Sequence, residues 1–159
     1  MDNAERGALA EYLAACALDV SDNLRINWDS YDLLSRDGVR IEVKSSGYLQ
    51  SWGQNKLSRL TFGIQPSFGW ENSTNTYSDE KKRQSDIYVF CVHKHTDFDT
   101  VNPLDTSQWE FYLLLTAYLD EKVGMQKRIT LSSLINIGAE KCRYGEIKEK
   151  VDELIKRAE

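Results

Sequence analysis

The sequence predicts an α/β fold, a central mixed sheet flanked by helices, and three observations carry that prediction. An alanine-rich N-terminal segment has apolar residues at three- and four-residue steps, several short segments alternate with period two, and an amphipathic segment closes the chain. The 159 residues, 41% hydrophobic and 28% charged, suit one globular domain spanning residues 1–159 and argue against intrinsic disorder or a repeat array. The longest apolar run, residues 111–115, is too short to cross a bilayer, and Met1-Asp2-Asn3-Ala4-Glu5 lacks the features of a signal peptide. A cytoplasmic location is the expectation.

The first helix is expected over residues 4–18, where Ala8, Leu9, Tyr12, Leu13, Cys16 and Ala17 make an inward stripe with Glu11 at its edge. Residues 19–27 are polar and loop-like. Residues 31–35 and 39–45 form a strand pair around Arg36-Asp37-Gly38, and residues 57–64 form a third strand that buries Leu60, Phe62 and Ile64. Residues 65–85 are polar and rich in turn formers, which predicts a long polar loop or insertion. The continuously apolar 87–92 is expected as a central strand covered on both faces, and 109–115 as a further strand. A short helix capped by Thr130 and stopped near Gly138 precedes a longer one over 145–157, with Ile147, Val151, Leu154 and Ile155 inward.

Cys16, Cys91 and Cys142 are widely spaced, odd in number and flanked by apolar residues, which suits reduced thiols and suggests neither disulfides nor a zinc site. The net charge of −5 is uneven. Residues 45–95 hold six Lys/Arg against four Asp/Glu, whereas the flanking segments are both net acidic. The basic middle is the expected nucleic-acid side of the molecule.

The register of the first strand pair follows from its apolar pattern. A three-residue loop with Gly38 left-handed pairs Ser35 with Val39, Leu33 with Ile41, Asp32 with Glu42 and Tyr31 with Val43. Tyr31, Leu33, Val39, Ile41 and Val43 then share a core face, and Asp32, Leu34, Arg40, Glu42 and Lys44 share the other. A two-residue loop would mix the faces. Opposed carboxylates repel, so Asp32 against Glu42 calls for a cation, either Lys44 or a divalent metal. Hard oxygen ligands with open water positions suit Mg²⁺ or Mn²⁺, which polarise a phosphoryl oxygen and acidify a bound water. The plainer reading of the same residues is a solvated cross-strand salt-bridge face.

At these residues the sequence resembles the PD-(D/E)-x-K nuclease superfamily, the restriction-endonuclease-like fold. Asp32 matches the first acid, Glu42-Val43-Lys44 the D/E-x-K tripeptide, and Glu11 the helix-borne acid that precedes the hairpin in many members. Tyr31 stands where the signature has proline, and no helix is evident between Ile64 and Ile87. The resemblance implies a metal-dependent endodeoxyribonuclease. In it, Asp32, Glu42 and the Val43 carbonyl hold Mg²⁺ or Mn²⁺, Lys44 assists the attacking water, and Glu11 reaches the metal directly or through water. A catalytically silent nuclease-like module binding DNA or protein is the alternative, and RNA is an alternative substrate. Domains this small often dimerise to cut both strands.

Gln54 follows the E-x-K strand where such nucleases place polar residues near the scissile phosphate. Lys56, Arg59, Lys81, Lys82 and Arg83 supply the basic middle, and Trp52, Phe68, Trp70 and Tyr77 are candidates for stacking on bases. An ordinary solvated run is the competing reading of Lys81-Lys82-Arg83. His93 and His95, two apart on a strand end, have no apparent third ligand and read as structural or surface residues.

Overall fold

The computed structural model describes residues 1–23, 30–71 and 73–159, so residues 24–27 of the loop-like 19–27 stretch lie outside the described residues. Helix α1 (Asn3–Ala17) opens on a reciprocal cap. The Asp2 carboxylate accepts the Glu5 N–H at 2.8 Å, and the Glu5 carboxylate accepts the Asp2 N–H at 2.9 Å. The chain continues through β1 (Leu33–Leu34), β2 (Arg40–Gly47), β3 (Thr61–Gly63), β4 (Ser67–Glu71), β5 (Thr76–Lys82), β6 (Ile87–His93) and β7 (Trp109–Leu115). It closes with α2 (Thr116–Val123), β8 (Arg128–Thr130), α3 (Leu131–Asn136), β9 (Glu140–Cys142) and α4 (Ile147–Ala158).

The central sheet has the order β1-β2-β6-β7-β9, with β2 and β6 parallel and every other pair antiparallel. This is the mixed sheet that the sequence predicts. Because side chains alternate, the two faces build two cores. On one, α1 and α4 bury Ile41, Val43, Ile87, Val89, Cys91, Phe111 and Leu113. On the other, Tyr88, Phe90, Val92, Tyr112 and Leu114 pack against Phe62, Ile64, Leu119, Ile129 and Leu134. All seven residues of β6 are buried, as its unbroken apolar run requires. Cys91 and Cys142 are buried free thiols and Cys16 a half-buried one.

Several expectations change. The inward stripe of α1 is Arg6, Ala10, Leu13, Ala14 and Ala15, while Tyr12 is 50% exposed. Alanine on both sides of the helix gives the sequence little contrast, and the fully buried Ala10 and Ala14 let α1 lie close to β2. The third strand buries Leu60, Phe62 and Ile64, but only residues 61–63 pair, and they pair with β8 in a separate two-stranded sheet. Residues 65–85 form the β4–β5 hairpin rather than a long loop. Its cross-strand contacts are Trp70 edge-on to Tyr77 at 5.0 Å and the Lys81 ammonium 5.2 Å from the Phe68 ring centroid. Among the described residues the crossover from β2 to parallel β6 contains strands and no helix. Strand 109–115, the Thr130 cap on the Ser133 N–H and a positive φ at Gly138 follow the sequence reading. The longer C-terminal helix begins at Ile147 after a 3-10 turn, and α2, β8 and β9 were not anticipated.

Candidate active site

The β1–β2 hairpin keeps the expected three-residue register where it pairs, but its ladder is shorter than the expected 31–35 strand. Tyr31 and Asp32 lie in a bend before β1, and they do not pair with Val43 and Glu42. Leu33 lies opposite Ile41 and Leu34 opposite Arg40, Gly38 has φ +82°, and its N–H donates to Ser35 O at 3.0 Å. Arg40 anchors the hairpin to the foot of β6. Its Nη2 lies 2.8 Å from Asp86 Oδ1, and its backbone N–H donates to Asp86 Oδ2 at 2.9 Å. That guanidinium holds the Asp86 carboxyl below the usual carboxylate range.

Alternation turns Ile41 and Val43 into the α1 core and leaves Glu42 and Lys44 half-buried on the opposite face. Lys44 Nζ stands 2.7 Å from Glu42 Oε1, with 31% and 19% of the two side chains exposed. The Asp32 N–H donates to Ile41 O at 3.0 Å, and its carboxylate accepts the Val43 N–H at 2.8 Å. This strap holds the acid against the same stretch of β2. Tyr88, paired with Glu42 across β2 and β6, registers both acids. Burial raises the pKa of its hydroxyl, and the charges of Glu42 and Asp32 raise it further against the opposing pull of Arg83. Asp32, Glu42 and Lys44 therefore lie together, beside a buried phenol that the sequence hides inside an apolar run.

The structure disposes the other candidates differently. Glu11 is half-buried on α1, the helix packed on the Ile41 and Val43 face, so its helix and the Glu42–Lys44 pair lie on opposite sides of the sheet. Among the described residues no three His, Cys, Asp or Glu gather as a metal-holding group. Gln54 staples the loop after β2: its Oε1 accepts the Gln50 N–H at 2.9 Å, and its Nε2 donates to Tyr48 O at 3.1 Å and Ser58 Oγ at 3.0 Å. Arg83 is drawn inside rather than offered to solvent. Its guanidinium bonds Asp120 Oδ1 at 2.5 Å, Gly124 O at 2.6 Å, Ile64 O at 2.8 Å and Gln126 O at 2.9 Å. Lys56, Arg59, Lys81 and Lys82 are exposed, as are the side chains of Trp52, Phe68 and Tyr77. His95 Nε2 pairs with Thr100 Oγ1 at 2.7 Å, and His93 is buried.

A second polar cluster escaped the sequence reading. Arg6, 2% exposed, donates from Nη2 to Leu49 O and Gln50 Oε1, both at 2.9 Å. Its signal was its position one turn before Ala10 on the buried stripe. The second signal was Gly47, where an added Cβ would stand 2.9 Å from Arg6 Nε.

A mixed sheet flanked by helices, with the Glu42–Lys44 pair on β2 and Asp32 strapped to the Val43 N–H of the same strand, is compatible with a nuclease-like α/β core. The family model of bacteriophage T4 endonuclease IV matches residues 1–124, from α1 through α2 and across the whole β1–β2 hairpin. The chain belongs to that endonuclease family. No curated protein matches it. No helix of the described residues is long and apolar enough to cross a membrane.

Proposed function

We propose that this protein is a metal-dependent DNA endonuclease whose active site is the polar face of the β1–β2 hairpin. The observation that carries the reading is the strap that sets Asp32 beside β2 while Glu42 and Lys44 share its outer face, in a chain of an endonuclease family. The donor set suits a small hard cation: two carboxylates and the Val43 carbonyl, all oxygen, in a half-buried setting. When bound, Mg²⁺ or Mn²⁺ supplies Lewis acidity toward a phosphoryl oxygen and lowers the pKa of a coordinated water.

The chain's own residues do the rest. Asp32, fixed by the Val43 N–H, keeps one carboxylate oxygen in a set position. Glu42 holds the Lys44 ammonium 2.7 Å away, and so orients the cation toward the phosphate whose negative charge grows during attack. Tyr88, buried and opposite Glu42 across β2 and β6, brings no charge of its own to the two acids. Lys56, Arg59, Lys81 and Lys82 are the exposed cations available to the phosphate backbone.

Calorimetric titration of Mn²⁺ into the wild type and into Glu42→Gln tests the metal step. Saturable binding in the wild type that weakens at least about tenfold in the variant is the expected result. Identical titrations of the two proteins would remove Glu42 from the metal site.

A further inference from the structure

Strand β9 follows β7 only as far as the Phe111–Cys142 pair, and the chain then turns away at Arg143 into a 3-10 turn. Beside the end of β7 that β9 leaves free, a cavity of about 560 Å³ opens. Its polar side is lined by Lys94, Thr106, Ser107, Glu110, Lys141 and Arg143. The cations come from separate places in the chain: Lys94 just after β6, Lys141 on β9, and Arg143 at the turn beyond it.

Three cations there face one carboxylate. Glu110 Oε1 lies 2.9 Å from Lys141 Nζ and 3.6 Å from Lys94 Nζ, and Glu110 Oε2 accepts the Tyr112 hydroxyl at 2.9 Å. Burial works against the Glu110 charge, but the hydrogen bonds from Lys141 and Tyr112 and the charges of the two lysines outweigh it and hold the carboxyl below its usual range. Two further acids stand beside the lining residues without lining the cavity. Glu146 Oε2 accepts the Arg143 backbone N–H at 2.8 Å, and Asp105 Oδ1 accepts the Ser107 hydroxyl at 2.6 Å. The lining thus keeps an excess of two positive charges, three cations against one carboxylate, in a chain whose net charge is −5.

Charges of one sign gathered in a recess focus a positive potential and favour an anion. The Arg143 guanidinium adds a planar fork of N–H donors that matches the oxygens of a phosphate, and Thr106 adds a hydroxyl. We propose that this cavity binds a phosphate group through Arg143, Lys141 and Lys94, carried either by a DNA backbone or by a free nucleotide. The site is separate from the hairpin face and does not depend on the cleavage reading. Register nevertheless puts Lys141 on the same face of the sheet as Lys44, because Lys44 lies opposite Phe90, Phe90 opposite Tyr112, and Tyr112 opposite Lys141. The two lysines are three strand spacings apart, about 14 Å, with the buried Phe90 and Tyr112 between them.

Calorimetric titrations at low ionic strength, where charge is least screened, and without divalent metal test the site. The probes are inorganic phosphate, a deoxynucleoside 5′-monophosphate and a short oligodeoxynucleotide. Saturable binding of inorganic phosphate by the wild type is expected, weakened about tenfold or more in Lys141→Ala/Arg143→Ala, whose two side chains are exposed. Glu110→Gln, which leaves the three cations uncompensated, should bind phosphate several-fold more tightly. The Asp32→Ala/Glu42→Ala protein keeps the wild-type affinity for phosphate, so failure of the cleavage reading and failure of this site are told apart. Oligonucleotide affinity lost in Lys141→Ala/Arg143→Ala assigns the phosphate to a DNA backbone, and a loss confined to phosphate and the mononucleotide assigns it to a free nucleotide. No saturable phosphate binding by the folded wild type, or undiminished binding by folded Lys141→Ala/Arg143→Ala, would overturn the proposal.

Discussion

The protein carries two β-hairpins that obey different rules. In β1–β2 one face is core: Leu33, Ile41 and Val43 are buried, and a slip of one residue would bring the charged side chains into the α1 layer. In β4–β5 nearly every residue of the second strand is exposed, and the pair forms its own two-stranded sheet. It is held by its ladder and by contacts between Trp70 and Tyr77 and between Phe68 and Lys81. Burial fixes a register and so can fix a constellation of charges on the opposite face. A hairpin held by its own contacts is a better place to present side chains than to position them.

Substitutions sharpen this contrast. Ile41→Ala, at a fully buried position, is expected to cost about 2–5 kcal/mol in denaturant unfolding. Tyr77→Ala in the other hairpin, 65% exposed, should cost no more than about 1 kcal/mol. Similar losses at the two sites would break the comparison. Arg83→Met tests the joint between β5 and β6. It strips Asp120 and three main-chain carbonyls of a buried partner, and a loss of about 3 kcal/mol, or roughly 6–12 °C in Tm, should appear in thermal unfolding. Gly38→Ala places a side chain at φ +82° in the turn that sets the register, and about 1–2 kcal/mol is the expected loss.

The smallest effect concerns the Arg40–Asp86 strap. Because the folded-state pKa of Asp86 is lowered, its contribution is present above the unfolded carboxylate pKa, near pH 4, and is lost as pH falls through the lower folded value. Both partners are about 36–46% exposed, so the contribution stays under about 1 kcal/mol. Asp86→Asn should lower stability slightly at neutral pH and flatten the fall of the wild type in acid, as followed by unfolding at stepped pH.

What could be read in the sequence follows the same division. The Leu33–Ile41 register and the Glu42–Lys44 face of β2 were legible because alternation over residues 40–45 has one buried solution, and β6 and β7 were legible because only central strands are so continuously apolar. Tyr31 and Asp32 left the ladder because two residues of pairing after the turn do not hold a longer strand. The β4–β5 hairpin was not, since its pairing depends on contacts between exposed side chains and leaves no buried stripe. Strands β8 and β9, three residues each, are too short to show a period. Charge misled at Arg83 and polarity at Gln54, because sequence gives the donors of a side chain but not the carbonyls that it will find. Tyr88 and Arg6 were hidden in opposite ways, a phenol within an apolar run and a guanidinium on an alanine stripe.

The central claim, that the hairpin face cuts DNA, meets its most direct test in the nicking of supercoiled plasmid with Mg²⁺. Wild type and the Asp32→Ala/Glu42→Ala protein are compared after matching circular dichroism and thermal unfolding show both to be folded. The account predicts nicking by the wild type and a loss of about a thousandfold or more in the double variant. Nicking by the folded double variant at the wild-type rate would contradict it.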